Sequence, residues 1–134
     1  MSESTRTFIV SQELDEIGEP EEFSWDLWPL VDPNKTLHLN ENGLPKIGTK
    51  LTPGMILVGK IGKTKSYQTD RKPTTLEINA LTFEEIHRQF GHLWADRSTY
   101  VPEGIFGVVL QSELSVIADG KVSANIKIRL GNNE

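Results

Sequence analysis

At 134 residues, with no cysteine and a net charge of −5, the chain has the length of one domain that buries about two thirds of its unfolded surface without cross-links. Disulfides and thiolate metal sites are excluded, and the acidic balance disfavours a protein that wraps nucleic acid. The start, Met1-Ser2-Glu3-Ser4, is polar rather than a signal peptide, and no apolar run approaches a membrane span. A soluble, cytoplasmic protein is expected.

Residues 5–10 read as a first strand, with Phe8 and Val10 on one face. An acidic arm follows, about residues 11–34, in which eight acidic residues from Glu13 to Asp32 meet no Lys or Arg. It is expected to pack on the single domain, 1–134, with its carboxylates in water. Pro20-Glu21-Glu22 resembles a helix start, and Pro29 ends that helix near Trp28. Phe23, Trp25, Leu27, Trp28 and Leu30 form the most aromatic stretch. It is either a plug sealing one side of the fold or a protein-interaction surface built on Phe23, Trp25 and Trp28.

Leu37 and Leu39 flank His38 in a short alternating strand, and residues 40–43 form an Asn-Gly turn. Residues 44–50, interrupted by Pro45 and Gly48, suit an edge or irregular strand. Pro53-Gly54 is a tight turn, and residues 55–58 then read as a strand buried on both faces. That strand is expected in mid-sheet, with the rest of the chain around it. Lys60, Lys63, Lys65, Arg71 and Lys72 stand against only Asp70. They are either a solvated face or a contact for RNA, DNA or an acidic partner. Residues 62–75 should be an exposed, mobile loop, with a short return strand around Leu76 and Ile78.

Thr82-Phe83-Glu84-Glu85 has capping-box spacing, which predicts a helix over about 83–90 ended by Gly91. From 101 to 130 the pattern is β. Val122, Ala124, Ile126, Ile128 and Leu130 alternate with polar residues, and Asp119-Gly120 marks the turn. A three-residue loop, 119–121, pairs Ala118 with Val122, Val116 with Ala124, Leu114 with Ile126 and Leu110 with Leu130, giving one apolar face.

Catalytic and cofactor signatures are weak. His87 and His92 are five apart, the wrong spacing for one helical face, and His38 stands alone, so no metal is expected. No nucleophile elbow exists. Gly59-Lys60-Ile61-Gly62-Lys63-Thr64 lacks phosphate-loop spacing and opens onto no helix. The residues therefore point to a non-enzyme without a cofactor.

Several stretches, in order, resemble the β subunit of bacterial and plastid multisubunit DNA-directed RNA polymerases. Residues 40–60, NENGLPKIGTKLTPGMILVGK, are similar to that family's turn leading into G-D-I-L-V-G-K. Residues 81–91, LTFEEIHRQFG, resemble its L-T-P-E-E-x-x-L-R-A-I-F-G, and 99–109, TYVPEGIFGVV, its L-R-V-P-x-G-x-x-G-T-V. Residues 18–22, GEPEE, match more weakly. Gly54, Gly59, Lys60, Pro102, Gly104 and Gly107 match by position, whereas Met55 stands where the family has aspartate. The resemblance implies the flap base, a mainly β fold that is a small barrel or sandwich-barrel hybrid with one short helix. It also implies a non-catalytic module of transcription, since the family's catalytic aspartates and active-centre lysines lie outside the matched region. Partners would be polymerase subunits, transcription factors, or exiting RNA or DNA, in the cytoplasm or a plastid stroma. The family's flap-tip excursion, which binds a sigma factor, is replaced here by a tight turn, so that role is not carried over. A stand-alone regulatory protein-interaction domain that reuses the fold for an unrelated partner is the alternative.

Overall fold

The computed structural model describes residues 4–28, 30–66, 93–117 and 119–131. The fold is mainly β and barrel-like. Its strands are β1 (Thr5–Ser11), β2 (Glu22–Phe23), β3 (Lys50–Leu51), β4 (Ile56–Val58), β5 (Lys60–Lys63), β6 (Trp94–Asp96), β7 (Thr99–Tyr100), β8 (Gly107–Val116) and β9 (Val122–Leu130). They form a four-stranded sheet, β1-β9-β8-β3, a three-stranded sheet, β2-β5-β6, and the pair β4-β7. The expected helix at 83–90, the return strand near 76–78 and most of the expected loop at 62–75 lie outside the described residues.

The alternation in β8 and β9 works as the sequence implies: Ala124, Ile126 and Ile128 are buried together with Val10, Leu51, Leu57, Val58 and Val109. Burying each large aliphatic side chain contributes about 1.5–3 kcal/mol. The register, however, is displaced by two residues from the expected one. Val116 opposes Val122 and Leu114 opposes Ala124, and the closing bond runs from the Ile117 N–H to the Lys121 carbonyl at 2.9 Å. A shift between Val109 and Gln111 then seats Val109 opposite Ile128. This bulge absorbs one residue, so the apolar face continues without pairing Leu110 with Leu130. Gly120 takes the left-handed conformation, φ 77°, as the turn requires.

The strand at 56–58 is buried throughout, but it does not lie in mid-sheet. It pairs with β7 alone among the described strands, and it lies between two cores. Ile56 joins Leu27, Val31, Leu39, Ile61 and Trp94, while Leu57 and Val58 join the main cluster. The split follows from a register shift between Ile56 and Val58, since a bulge turns consecutive side chains away from strict alternation. Thr52-Pro53-Gly54-Met55 is the expected tight turn, closed by the Met55 N–H on the Thr52 carbonyl at 3.2 Å with Gly54 at φ 89°.

Two expectations for the first half are corrected. Residues 20–28 are not helical. Leu14 bridges Pro20, and Glu22 and Phe23 pair with Ile61 and Lys60 of β5, so tertiary pairing overrides the local helix signal. Around Leu37 a 3₁₀ turn, Pro33–Thr36, replaces the strand. Asp32 caps it by accepting from the Asn34 N–H at 2.9 Å, with Pro33 in the first position. Leu39 keeps only a single bridge to Pro45.

Candidate functional site

The acidic arm and the basic stretch read as separate features in the sequence, yet they face each other in the fold. The arm doubles back on itself through the bridge between Leu14 and Pro20 and then lies along β5. Asp15 makes the turn: its Oδ1 accepts from the amides of Ile17 (3.1 Å) and Glu19 (3.0 Å), and its Oδ2 accepts from the amide of Lys63 (3.0 Å). Burial pushes this carboxyl up, but the three amides outweigh it and hold it below its ordinary value.

Glu21 sits at the centre, only 2% exposed. Its Oε1 accepts from Lys60 Nζ at 2.8 Å and from the Glu13 amide at 3.0 Å, and its Oε2 accepts from Arg97 Nε at 2.5 Å. Lys60 is also buried, and its ammonium donates in addition to the Ser11 carbonyl at 3.2 Å. Burial again opposes ionisation of Glu21, and the two cations and the amide overcome it, so its titration lies below the usual range. The same bond to Glu21, less a desolvation penalty, holds Arg97 protonated more firmly than usual. The clasp continues outward: Lys63 Nζ meets Glu19 Oε2 at 2.6 Å and lies 5.9 Å from the Trp94 ring centre, and the Lys65 amide donates to Glu16 at 3.3 Å. A cleft of about 300 Å³ runs beside this row, lined by Asp15, Glu19, Glu21 and Lys63 among others.

Lys60 is therefore withdrawn from the expected surface set, because its ammonium is buried and bonded to Glu21 and the Ser11 carbonyl inside the protein. The expectation that the arm's carboxylates are solvated is corrected in the same way for Asp15 and Glu21. Lys63 and Lys65 lie at the surface end of the row, while Arg71 and Lys72 lie outside the described residues. Of the aromatic set, Phe23 is half-buried against the main core, Trp28 is half-buried, and Trp25 is 47% exposed. Trp25 borders an open groove of about 720 Å³ shared with Leu37 and Lys46. Sequence reasoning missed Asp15, Glu21 and Arg97. The available signal was the reciprocal bias of the two runs, which invites pairing across the fold.

A second cleft, about 690 Å³, is floored by Met55 and Ile56 and rimmed by His38, Asp96 and Tyr100. His38 Nε2 lies 2.7 Å from the Ile56 carbonyl and donates to it, and the Tyr100 hydroxyl donates to Asp96. Burial, then that bond, pushes the phenol up to about 12. Among the described residues no group of His, Asp and Glu is arranged to hold a metal ion.

The family model described as RNA polymerase Rpb2, domain 6, matches residues 5–133. The DNA-directed RNA polymerase subunit beta of Orientia tsutsugamushi (strain Boryong) is 35% identical over 91 residues. That alignment covers 68% of this chain and 6% of the relative, so the chain spans a small part of the subunit it matches.

Proposed function

This chain belongs to the RNA polymerase Rpb2 domain 6 family, and on that premise we propose that it acts as a non-catalytic module of the transcription machinery, docking on polymerase subunits or transcription factors. One observation carries the reading: the family match runs from β1 through β9 and so includes both cores, not a local motif. Docking through protein contacts is favoured over binding to RNA by the clasp. The acidic arm neutralises the near end of the basic stretch, which weakens the field a phosphate backbone needs. The docking residue is Trp25, backed by Phe23 and Trp28, and Lys63, Lys65, Arg71 and Lys72 are the candidate contacts for acidic groups of the partner.

Affinity purification of the tagged chain from its source cell tests this. Polymerase subunits should co-purify, and Trp25→Ala should reduce their recovery at least about tenfold, the loss typical of a buried aromatic anchor. Absence of polymerase subunits would overturn the reading. Fluorescence anisotropy with single-stranded RNA at low salt tests the nucleic-acid version. A signal that Lys63, Lys65, Arg71 and Lys72 neutralisation removes would restore it. A stand-alone regulatory domain is the second reading, favoured by the hairpin closing at Ile117 and Lys121 where the resemblance implies an excursion.

A further inference from the structure

β1 lies at the margin of the four-stranded sheet and pairs with β9. Two flanking bonds fix which way its backbone points. The Leu130 N–H donates to the Ser4 carbonyl and the Gln12 N–H to the Val122 carbonyl, both at 2.8 Å. The register between them is uninterrupted, so Arg6, Phe8 and Val10 exchange bonds with β9, while the backbone groups of Thr5, Thr7, Ile9 and Ser11 point away. Ser11 confirms the direction, since its carbonyl receives Lys60. Among the described residues no hydrogen bond reaches the outward groups of Thr5, Thr7 and Ile9.

Edges are normally blunted by proline, bulges, inward charges or very short strands. β1 has seven residues and neither proline nor a bulge, and its one charge, Arg6, is folded over its own Phe8 ring. Thr5, Thr7 and Ile9 are all β-branched and exposed, Ile9 at 68%. Such an edge accepts a strand rather than refusing one.

We propose that the strand it accepts is β1 of a second copy of this chain, added antiparallel about a two-fold axis at Thr7. The sequence is self-complementary in that register. Thr7 meets the copy's Thr7 and Thr5 meets the copy's Ile9, each pair exchanging two backbone bonds and burying β-branched side chains. Arg6 meets the copy's Phe8 in the closely spaced type of pair. Arg6 already lies 4.7 Å from the centre of its own Phe8 ring, and in this register the copy's guanidinium falls on the same sheet face as that half-buried ring. Lys127, beside Thr7 on β9, comes no closer to its counterpart than three strand spacings, about 14 Å. That exceeds the screening length of about 8 Å at physiological salt, so repulsion between the lysines does not forbid the pairing.

Light scattering on the eluting protein tests this. The mass should rise twofold from 15.0 kDa between low and high micromolar concentration. Ile9→Pro removes an outward N–H without losing a bond to β9, a position where an edge strand tolerates proline. It should hold the mass at the monomer value at every concentration, with an unchanged far-UV spectrum. A second variant does not depend on that substitution folding: Thr7→Cys, the chain's sole cysteine, should cross-link under mild oxidation at least tenfold faster than Gln111→Cys on β8. A wild type that stays monomeric, a dimer that survives Ile9→Pro, or equal cross-linking of the two cysteine variants would each overturn the proposal. Should Ile9→Pro instead weaken attachment of a different protein to a monomeric chain, the edge belongs to that protein and self-pairing is wrong.

Discussion

Glu21 holds two cations and an amide while almost wholly out of water. Removing it strands the Lys60 ammonium inside the protein with only the Ser11 carbonyl for company. Breaking a buried pair from one side costs about 3–5 kcal/mol, so Glu21→Ala should lose that much in urea denaturation. Arg97 is more than a third exposed and turns to water, so Arg97→Ala should lose only about 1 kcal/mol after solvent screening. The same carboxylate sets an acid dependence. Its folded titration lies below the ordinary 4.5, and that of Asp15 below 3.8. A carboxyl lowered by folding contributes fully above its unfolded value and loses its contribution as the pH falls through the folded one. Urea midpoints should therefore fall as the pH drops below about 4.5, with a shallower fall for Glu21→Gln. Tyr100 gives the opposite sign: its folded value is raised to about 12 from 10, so its stabilisation is complete below pH 10 and lost above. Alkaline absorbance titration should show Tyr100 ionising near 12, and Asp96→Asn should move it back towards 10.

At the scale of elements, three backbone segments cross where β4 passes into β5. The Gly59 N–H donates to the Gly43 carbonyl at 2.7 Å, and the Ser24 N–H donates to the Gly59 carbonyl at 3.0 Å. A Cβ on Gly59 would collide with the Ser24 carbonyl oxygen, and one on Gly43 would sit 2.6 Å from both the Gly59 and Ser24 oxygens. The absence of a side chain is what lets the arm close over the junction of β4 and β5. Because those neighbours are backbone atoms, relief requires the arm to move, and Gly59→Ala should cost about 2–3 kcal/mol by overpacking. Gly131→Ala, with nothing within 4 Å of the added carbon, is the control and should stay within about 0.5 kcal/mol. Gly59 was visible in the sequence as the end of an apolar run and as a matched position in the resemblance. Its reason was not, because the Ser24 oxygen lies 35 residues away in the chain and no local pattern announces a crossing.

Across the whole molecule, alternation was readable wherever a strand has one wet and one dry face. Ala124, Ile126 and Ile128 are buried as their period implies, and the Pro53-Gly54 and Asn42-Gly43 turns stand where their residues require. What period cannot carry is a bulge or a distant charge. The hairpin register is set at the turn and shifts again near Leu110, and the helix-opening signal around Glu21 is overridden by the distant Lys60 and Arg97. The clasp therefore ties the arm to β5 by a term the local sequence conceals, and it should make arm and barrel unfold together. Far-UV ellipticity and fluorescence should give coincident denaturation curves, because Trp25 and Trp28 report the arm and Trp94 the body. A biphasic wild type would show the arm to be an independent layer. The sharper test exchanges the buried charges for apolar groups. Glu21→Leu alone strands the buried Lys60 ammonium and should lose about 3–5 kcal/mol, and Lys60→Met alone should lose less because Arg97 and the Glu13 amide still hold Glu21. The two together, however, remove both buried charges and Arg97 turns outward, so the double variant should return to within about 1 kcal/mol of wild type. Strongly non-additive losses with restored coincidence of the two probes would show that the pair acts as a unit joining arm to barrel. Losses that simply add would mean the two side chains stabilise their own segments separately, and that the arm is held by the backbone bonds between β2 and β5 instead.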